Sequence, residues 1–274
     1  MLTALVKGAG DLATGAALSL HRAGFSVVMT ELPEPLAIRR TVSFAEAVYD
    51  GEQVVEGVRA ARADPGDVRG ILEDGAIAVV VDPEARVAGL LEPVALVDGI
   101  MAKENRGTSR GQAPIVIALG PGFRAGVDAD AVIETERGHE LARVILHGGA
   151  REDTGVPGEI LGAAGGRVLR APTGGAVSCH KRIGDFVAEG EAVMSVGGEA
   201  VRASVAGCLR GLIRCGISVP RGTKIGDVDP RGDPRLCLLV SDKARAVGRG
   251  VLEAVLIIGR EKELLGIFRR EGGR

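Results

Sequence analysis

Apolar and polar positions at the start of the chain follow the periods of a strand, a helix and a second strand. Residues 2–7 form a short apolar run that ends at a glycine turn, and apolar residues then recur at helical spacing from Leu12 to Leu20. A β-rich run over 25–30 follows and ends in Glu31. The pattern predicts a βαβ unit with a glycine turn between the first strand and the helix.

This glycine turn has the spacing of a dinucleotide-binding fingerprint. Gly8-x-Gly10-x-x-Ala13 matches G-x-G-x-x-G/A, and Glu31 stands where an acidic residue would reach a ribose hydroxyl. The first glycine permits a tight turn, the second lets the backbone approach a pyrophosphate, and the small third residue allows close helix packing. Asp11 favours an alternative, because its carboxylate suits a helix N-terminus but would repel phosphate. The turn is then a helix cap or a site that has lost its ligand.

Further apolar runs predict short strands of a parallel sheet that is buried on both faces. These runs cover 76–81, 93–97, 115–119 and 131–133. Each run ends at a polar or glycine-rich segment, and ligands of open α/β sheets bind outside the carboxyl ends of the strands. We therefore expect these ends to converge on the glycine turn, with Gly120 and Gly122 as additional cofactor-binding residues.

Charged residues near the strand ends supply candidate chemistry. Arg39 and Arg40 follow the second strand and could bind an anionic group such as a ribose phosphate, with a solvated turn as the alternative. His139, together with Glu134 and Glu136, is the candidate for catalysis, as a general base with an orienting carboxylate. No second histidine stands at ligand spacing, so we predict no metal site.

From residue 167 the sequence repeats with a shift of 32 residues. Glycines and small residues coincide at Ala171 and Ala203, Gly175 and Gly207, Gly184 and Gly216, and Gly190 and Gly222. Two such units, each a run of short strands that turn at glycines, cannot bury a face alone. We expect them to close on each other as a small β-sandwich.

Three segments of the repeat resemble biotinyl/lipoyl-type barrel-sandwich domains. They are Ala171-Pro172-Thr173-Gly174-Gly175, residues 183–190 (IGDFVAEG) and residues 203–207 (ASVAG). Carrier domains of that kind bear their prosthetic group on a lysine at the hairpin between the two halves, where this chain has Val196-Gly197-Gly198-Glu199. The resemblance implies the fold without covalent biotin or lipoate, and so a use other than group transfer.

The last periodic segment predicts a return to the first sheet. Residues 237–240 have the pattern of a strand, and Ser241 caps a helix that continues to about Ile258 and must be buried because it carries so little charge after Arg249. The fold class is α/β. The domains are a Rossmann-like, mostly parallel domain over 1–165, an inserted or appended barrel-sandwich all-β domain over 166–232, a returning strand and helix over 233–260, and a tail over 261–274.

Composition excludes several classes of function. With 46% hydrophobic and 26% charged residues, the 274-residue chain can form packed cores. It has no Trp, one Tyr, five Phe and a formal net charge of -2, which argues against nucleic acid as a partner. No apolar run is long enough to span a membrane and no signal-peptide core develops, so we expect a cytoplasmic protein without membrane association. Four cysteines without a CxxC pair are expected to be reduced packing residues.

Several strings, in one order along the chain, resemble a bacterial family of accessory proteins for selenium-dependent molybdenum hydroxylases. The strings cover residues 8–15 (GAGDLATG), 38–49 (IRRTVSFAEAVY), 119–123 (LGPGF), 133–139 (IETERGH) and 241–246 (SDKARA). The resemblance implies a role in maturing or supplying the molybdenum cofactor of hydroxylases similar to xanthine dehydrogenase. It also implies a molybdenum hydroxylase client as a partner.

The leading hypothesis combines this resemblance with the glycine turn. The crevice would hold a nucleotide or a molybdopterin dinucleotide, and the β domain would present the ligand or dock the client enzyme. One alternative is an NAD(P)-dependent oxidoreductase in which Glu31, or Arg39 with Arg40, selects the cofactor. Another is a non-catalytic scaffold that binds no ligand. The sequence leaves a homo-oligomer open.

Overall fold

A computed structural model describes residues 2–152, 165–264 and 266. Nine strands of this part form one sheet in the order β3-β4-β5-β2-β1-β6-β7-β8-β9. They are β1 (Thr3–Lys7), β2 (Ser26–Glu31), β3 (Glu52–Val55), β4 (Val58–Ala63), β5 (Ile77–Val81), β6 (Ala95–Asp98), β7 (Ile115–Leu119), β8 (Ala131–Ile133) and β9 (Val144–Ile145). All pairings are parallel except β3 with β4 and β8 with β9 at the two edges. The predicted α/β class with a mostly parallel sheet is confirmed.

Helices pack on both faces of this nine-stranded sheet. They are α1 (Asp11–Arg22), α2 (Ala47–Asp50), α3 (Val68–Glu73), α4 (Ala88–Leu91) and α5 (Asp242–Glu261). Successive strand residues point to opposite faces, so Val6 and Met29 pack in the core beside α1 and α5, while Leu5 and Val28 pack in the core on the other face. In the described part, no helix combines the length and apolar content that a bilayer crossing requires.

The last helix begins where the sequence predicts. The Ser241 hydroxyl accepts a hydrogen bond from the Ala244 backbone N–H, and α5 then packs along α1 and against β7. The two helices approach closely because glycines face each other. A Cβ on Gly15 would lie 2.3 Å from the Ala244 carbonyl oxygen, and one on Gly248 would lie 2.2 Å from the Gly15 carbonyl oxygen.

Residues 168–229, called here the two-sheet unit, form two four-stranded sheets around a common core. The strands are β10 (Val168–Arg170), β11 (Gly175–Cys179), β12 (Phe186–Val187), β13 (Ala192–Val196), β14 (Glu199–Arg202), β15 (Gly207–Leu212), β16 (Ser218–Val219) and β17 (Lys224–Asp229). The sheet orders are β10-β17-β15-β12 and β14-β13-β11-β16. Strands β11, β12 and β13 begin 32 residues before β15, β16 and β17, which is the predicted shift. Each sheet therefore contains strands of both copies.

Glycines of the two copies occupy equivalent turns. Gly184 and Gly216 have φ of 100° and 87°, and Gly190 and Gly222 have φ of 79° and 81°. These positive values lie in a region that side chains with a Cβ rarely adopt. The repeat in the sequence is thus a repeat of backbone conformation.

The segment after β2 joins the two-sheet unit to the nine-stranded sheet. The Leu212 N–H donates to the Ile38 carbonyl at 2.8 Å, and Arg40 Nε donates to the Leu212 carbonyl at 2.7 Å. Residues 38–40 thereby lie along β15.

Arg214 makes a second connection between the two parts. Its guanidinium pairs with Glu46 at 3.0 Å and with Asp50 at 2.7 Å, and it lies 4.3 Å from the centre of the Tyr49 ring. Glu46 is buried whereas Arg214 and Asp50 are partly exposed, so only the Glu46 end of this contact is shielded from water.

Two expectations for the second half are wrong. Residues 237–240 form no strand, because Pro234–Cys237 is a 3-10 helix that has proline in its first turn and Asp233 as a cap for the Arg235 N–H. The cysteines are not all reduced, since Cys179 and Cys215 form a disulfide while Cys208 and Cys237 remain free and buried. Much of the expected tail over 261–274, namely residues 265 and 267–274, lies outside the described residues, as do residues 153–164 before the expected boundary at 165.

Candidate functional site

Two adjoining cavities lie at the carboxyl ends of the central parallel strands. The first has a volume of about 490 Å³ and is lined by residues that follow β1, β2, β5 and β6, including Gly10, Glu31, Pro83 and Ile100. The second has a volume of about 580 Å³ and lies between the ends of β6, β7 and β8, the N-terminus of α5 and the two-sheet unit. Asp11, Leu36 and Met101 line both, so the cavities share a wall. We call them the apolar cavity and the cationic cavity.

The glycine turn borders the apolar cavity. Gly8 has φ of 85°, and a Cβ there would lie 3.2 Å from the Gly99 carbonyl oxygen, so the turn requires glycine. Gly10 has an ordinary backbone conformation, and a Cβ on it would meet nothing within 4 Å. The small Ala13 allows α1 to approach the end of β6, because a Cβ on Gly99 would lie 2.9 Å from the Ala13 Cβ. The lack of a side chain at Gly10 therefore leaves open space in the apolar cavity, and the backbone conformation there does not require glycine.

Glu31 folds back onto the glycine turn. Its carboxylate accepts the Ala9 N–H at 2.7 Å and the Leu32 N–H at 2.8 Å. Burial raises the pKa of Glu31, and these two backbone donors oppose the shift. A backbone donor of the turn, which the fingerprint assigns to a phosphate, is thus already occupied by a carboxylate.

Asp11 and Arg39 face each other at the wall between the cavities. Asp11 Oδ2 lies 3.5 Å from Arg39 Nη1, while Asp11 Oδ1 and the Nε and Nη1 atoms of Arg39 are buried without a hydrogen-bond partner. The other end of the guanidinium donates to the carbonyls of Leu236 and Leu239. Burial raises the pKa of the Asp11 carboxyl despite the attraction of Arg39. Asp11 does not cap α1 through its side chain, since Gly10 is the N-cap residue.

Three residues that the sequence predicts to bind a cofactor make other contacts in the structure. Arg40 points away from both cavities, because its guanidinium pairs with Glu46 and donates to Leu212. Gly120 and Gly122 have positive φ and lie in close contact with the chain itself: a Cβ would be 2.6 Å from Thr135 Oγ1 and 2.8 Å from the Glu104 backbone. These glycines permit loop packing rather than the approach of a phosphate.

The three catalytic candidates do not form a group. Glu134 is buried and accepts the backbone N–H groups of Thr135, Glu136 and Arg151, so it organises its own loop. Glu136 lines the cationic cavity and pairs with Arg151 at 3.3 Å. His139 is exposed and lines neither cavity. The described residues contain no cluster of three or more His, Cys, Asp or Glu side chains that could hold a metal ion.

Basic side chains dominate the cationic cavity. Among the described residues its lining contains eight basic residues and four acidic ones. The basic residues are Arg39, Lys103, Arg137, Arg151, Arg167, Arg210, Lys224 and Lys243. Lys224 begins β17 of the two-sheet unit, and Lys243 lies in the first turn of α5. The arrangement can bind an anion between the two parts of the molecule.

Sequence reasoning missed Lys224 and Lys243. Lys224 lies in the repeated segment, whose pattern predicts strands and glycine turns, and Lys243 lies just after the predicted helix cap Ser241. The two lysines come together only through the fold. The scarcity of lysine was the available signal, since the chain has 34 basic residues and only a few of them are lysines.

The chain is similar to one curated protein of Escherichia coli (strain K12), uncharacterized protein YqeB. The two are 49% identical over 255 residues, which cover 93% of this chain and 47% of the relative. The chain thus spans about half the length of this relative. No family model matches the chain.

Two solved structures give weak likenesses. They are an aspartoacylase family protein from Mesorhizobium loti and the ectoine utilization protein EutE (DoeB) from Ruegeria pomeroyi. The identities are 12% and 13%, each covers 83% of this chain and 84% of that structure, and the TM-score is 0.27 in both cases.

Proposed function

We propose that the two adjoining cavities together bind a phosphate-bearing nucleotide, with molybdopterin dinucleotide as the ligand in the cell. The observation that carries the proposal is the pairing of an apolar cavity with a cationic one at the carboxyl ends of β1, β2 and β6. Ligands of open α/β sheets bind at this edge, where connections leave in opposite directions from neighbouring strands. Strands β1 and β6 are such neighbours.

The apolar cavity suits a planar ring. Leu12, Pro83 and Ile100 supply apolar surface, and Gly10 leaves room beside them. Glu31 and Asp11 are acidic residues of this cavity. Each carboxylate oxygen of Glu31 accepts one backbone N–H and retains capacity to accept from a ligand hydroxyl or amino group. Small-molecule sites commonly combine apolar walls with a few such polar groups.

The resemblance to accessory proteins of molybdenum hydroxylases supports a place in cofactor supply. In this proposal the chain works in the cytoplasm and transfers the bound dinucleotide to a hydroxylase similar to xanthine dehydrogenase. The two-sheet unit acts as a barrel-sandwich module that docks the client or presents the ligand. Gly197 and Gly198 form the hairpin between β13 and β14, where carrier domains have their lysine, so the module carries no covalent group.

Ligand-induced thermal stabilisation tests the binding step. The 274-residue chain is heated with CTP, NAD, NADP and pyrophosphate, and a ligand at 100 times its dissociation constant adds about 2.7 kcal/mol to the stability of the folded state. We expect stabilisation by a nucleotide in the native protein and in Gly70→Asp. In Gly10→Asp it should be lost, because this side chain enters the open space of the apolar cavity.

Both glycines lack neighbours within 4 Å of an added Cβ and have ordinary φ, so both variants should fold. The absence of stabilisation by every nucleotide contradicts the proposal. Stabilisation by NAD with reduction of NAD in the presence of an oxidisable substrate favours the oxidoreductase alternative.

The supply step is tested in cells. A molybdenum hydroxylase is produced in a host that lacks the chain and its relatives, alone or together with the native protein or Gly10→Asp. We expect the dinucleotide content and activity of the purified hydroxylase to rise with the native protein only. Equal content in all three preparations contradicts the proposed role.

A further inference from the structure

We infer that the phosphate groups of the ligand bind to Arg39, Lys224 and Lys243 in the cationic cavity, and not to the glycine turn. The inference rests on the proposed function for the identity of the ligand, but the anion site itself is argued from these residues. It lies where three separate elements meet: the segment after β2, the start of β17 and the first turn of α5.

Arg39 provides buried donors that have no acceptor. Its side chain is 8% exposed, and its Nε and Nη1 atoms make no hydrogen bond although the residue lines the cavity. A buried donor without a partner destabilises the folded state, and more so when the group is charged. Asp11 meets this need only in part, since its carboxylate lies 3.5 Å away from Nη1.

Lys224 and Lys243 differ from the other basic residues of the cavity because neither side chain has a hydrogen bond or ion pair within the described residues. The remaining arginines are engaged, Arg137 by Asp242, Arg151 by Glu136, and Arg167 and Arg210 by Asp227. Lys243 is partly buried, and this desolvation, with the nearby Arg137 charge, lowers the pKa of its ammonium group. The negative charge of a bound anion would oppose this shift and favour the charged ammonium group.

The glycine turn is a poor phosphate site in comparison. Its Ala9 N–H is occupied by Glu31, and Asp11 adds a second carboxylate beside the start of α1. A phosphate there would face two negative groups in partly buried surroundings, where charge repulsion is weakly screened. The cationic and apolar cavities share the wall at Asp11. A ligand whose ring lies in the apolar cavity can therefore place its phosphates in the cationic cavity.

The charges indicate the class of anion. Two lysines that form no ion pair among the described residues and one incompletely paired arginine match a group with at least two negative charges, such as a phosphate dianion or a pyrophosphate. Because Lys224 belongs to the two-sheet unit and Lys243 to α5, such an anion connects the two parts of the molecule.

Calorimetric titration of the full chain with sodium pyrophosphate, inorganic phosphate and CTP tests the inference. Lys224→Met and Lys243→Met should each weaken pyrophosphate binding about tenfold, the expected effect of one lost hydrogen bond to a charged group. Lys181→Met is the matched control, because Lys181 pairs with Glu191 and lines neither cavity. Its affinity should stay within about twofold of the native value.

The outcomes separate this inference from the proposed function. If both lysine variants bind pyrophosphate as tightly as the native protein does, the inference is overturned. If Gly10→Asp at the same time loses nucleotide binding, the proposed function still holds. Lysine-dependent binding of pyrophosphate without binding of any nucleotide supports the anion site and overturns the proposed function. Circular dichroism of each variant establishes that the change in affinity does not come from unfolding.

Discussion

Asp11 is an acidic residue in surroundings that disfavour its charge. One carboxylate oxygen has no hydrogen-bond partner, and burial raises the pKa of the group more than Arg39 lowers it. It stands at the wall shared by the two cavities, beside the site that we assign to phosphate. Its charge is therefore a cost both to folding and to anion binding.

Replacement Asp11→Asn should stabilise the folded protein at neutral pH. Because the folded-state pKa lies above the unfolded value, the carboxylate destabilises the fold fully above the folded-state pKa, and the penalty disappears as the pH falls below the unfolded value. Urea unfolding of the two proteins should thus differ at pH 7 and converge in acid. Pyrophosphate affinity at pH 7 should also rise, since a negative charge beside Arg39 is removed.

A matched control is Asp67→Asn, which removes a carboxylate from the start of α3, outside both cavities. Weaker pyrophosphate binding by Asp11→Asn than by the native protein would contradict the assignment of the phosphate site to this side of the wall.

At the scale of elements, the contact between α1 and α5 positions the cationic cavity. Asp11 begins one helix and Lys243 lies in the first turn of the other, and both helices carry glycines where they touch. Close approach of the two backbones brings their N-terminal turns to the same cavity. The glycines are packing residues whose effect reaches the site.

Gly15→Ala should destabilise the protein by about 1–3 kcal/mol, because the new methyl group would lie 2.3 Å from the Ala244 carbonyl oxygen and α5 would have to move. Gly70→Ala, the same substitution in α3 with open space around it, should add up to about 1 kcal/mol from helix propensity. Chemical denaturation measures both changes. Equal stability of the two variants would show that the helices do not pack as closely as described.

At the scale of the whole molecule, the cationic cavity exists only because the two-sheet unit stays next to the nine-stranded sheet. Arg214 pairs with Glu46 and Asp50 across this junction and lies over the ring of Tyr49. None of these four residues lines the cavity. The junction can therefore be weakened without removing a ligand contact.

Arg214→Ala should lower both the stability and the pyrophosphate affinity of the protein. Loss of a partner for the buried Glu46 is only partly compensated by Arg40, so we expect a cost of about 1–3 kcal/mol. Affinity should fall because Lys224 is placed less accurately relative to Lys243. Arg235→Ala, which breaks an exposed pair with Asp233 outside the cavities, should change neither quantity measurably.

Much of the fold could be predicted because its signals are local. The period of apolar residues predicted the central strands, the hydroxyl of Ser241 predicted the start of α5, and the shift of 32 residues predicted equivalent strands and glycine turns. Local signals failed where a neighbouring element supplied the partner. Cys179 and Cys215 are 36 residues apart and no spacing motif links them. The expected strand over 237–240 is wrong for a local reason, since the 3-10 helix that begins at Pro234 extends into this apolar run.

The amino-acid sequence by itself determined the α/β class, the glycine turn and the repeated unit, since each depends on residues that lie close together along the chain. Only the tertiary structure decided that Glu31 occupies the Ala9 N–H, that Arg40 belongs to a junction, and that Arg39, Lys224 and Lys243 share a cavity. Those three residues are separated by up to about 200 positions in the chain. Their proximity results from the packing of α5 on α1 and of the two-sheet unit on residues 38–40, which no local pattern encodes.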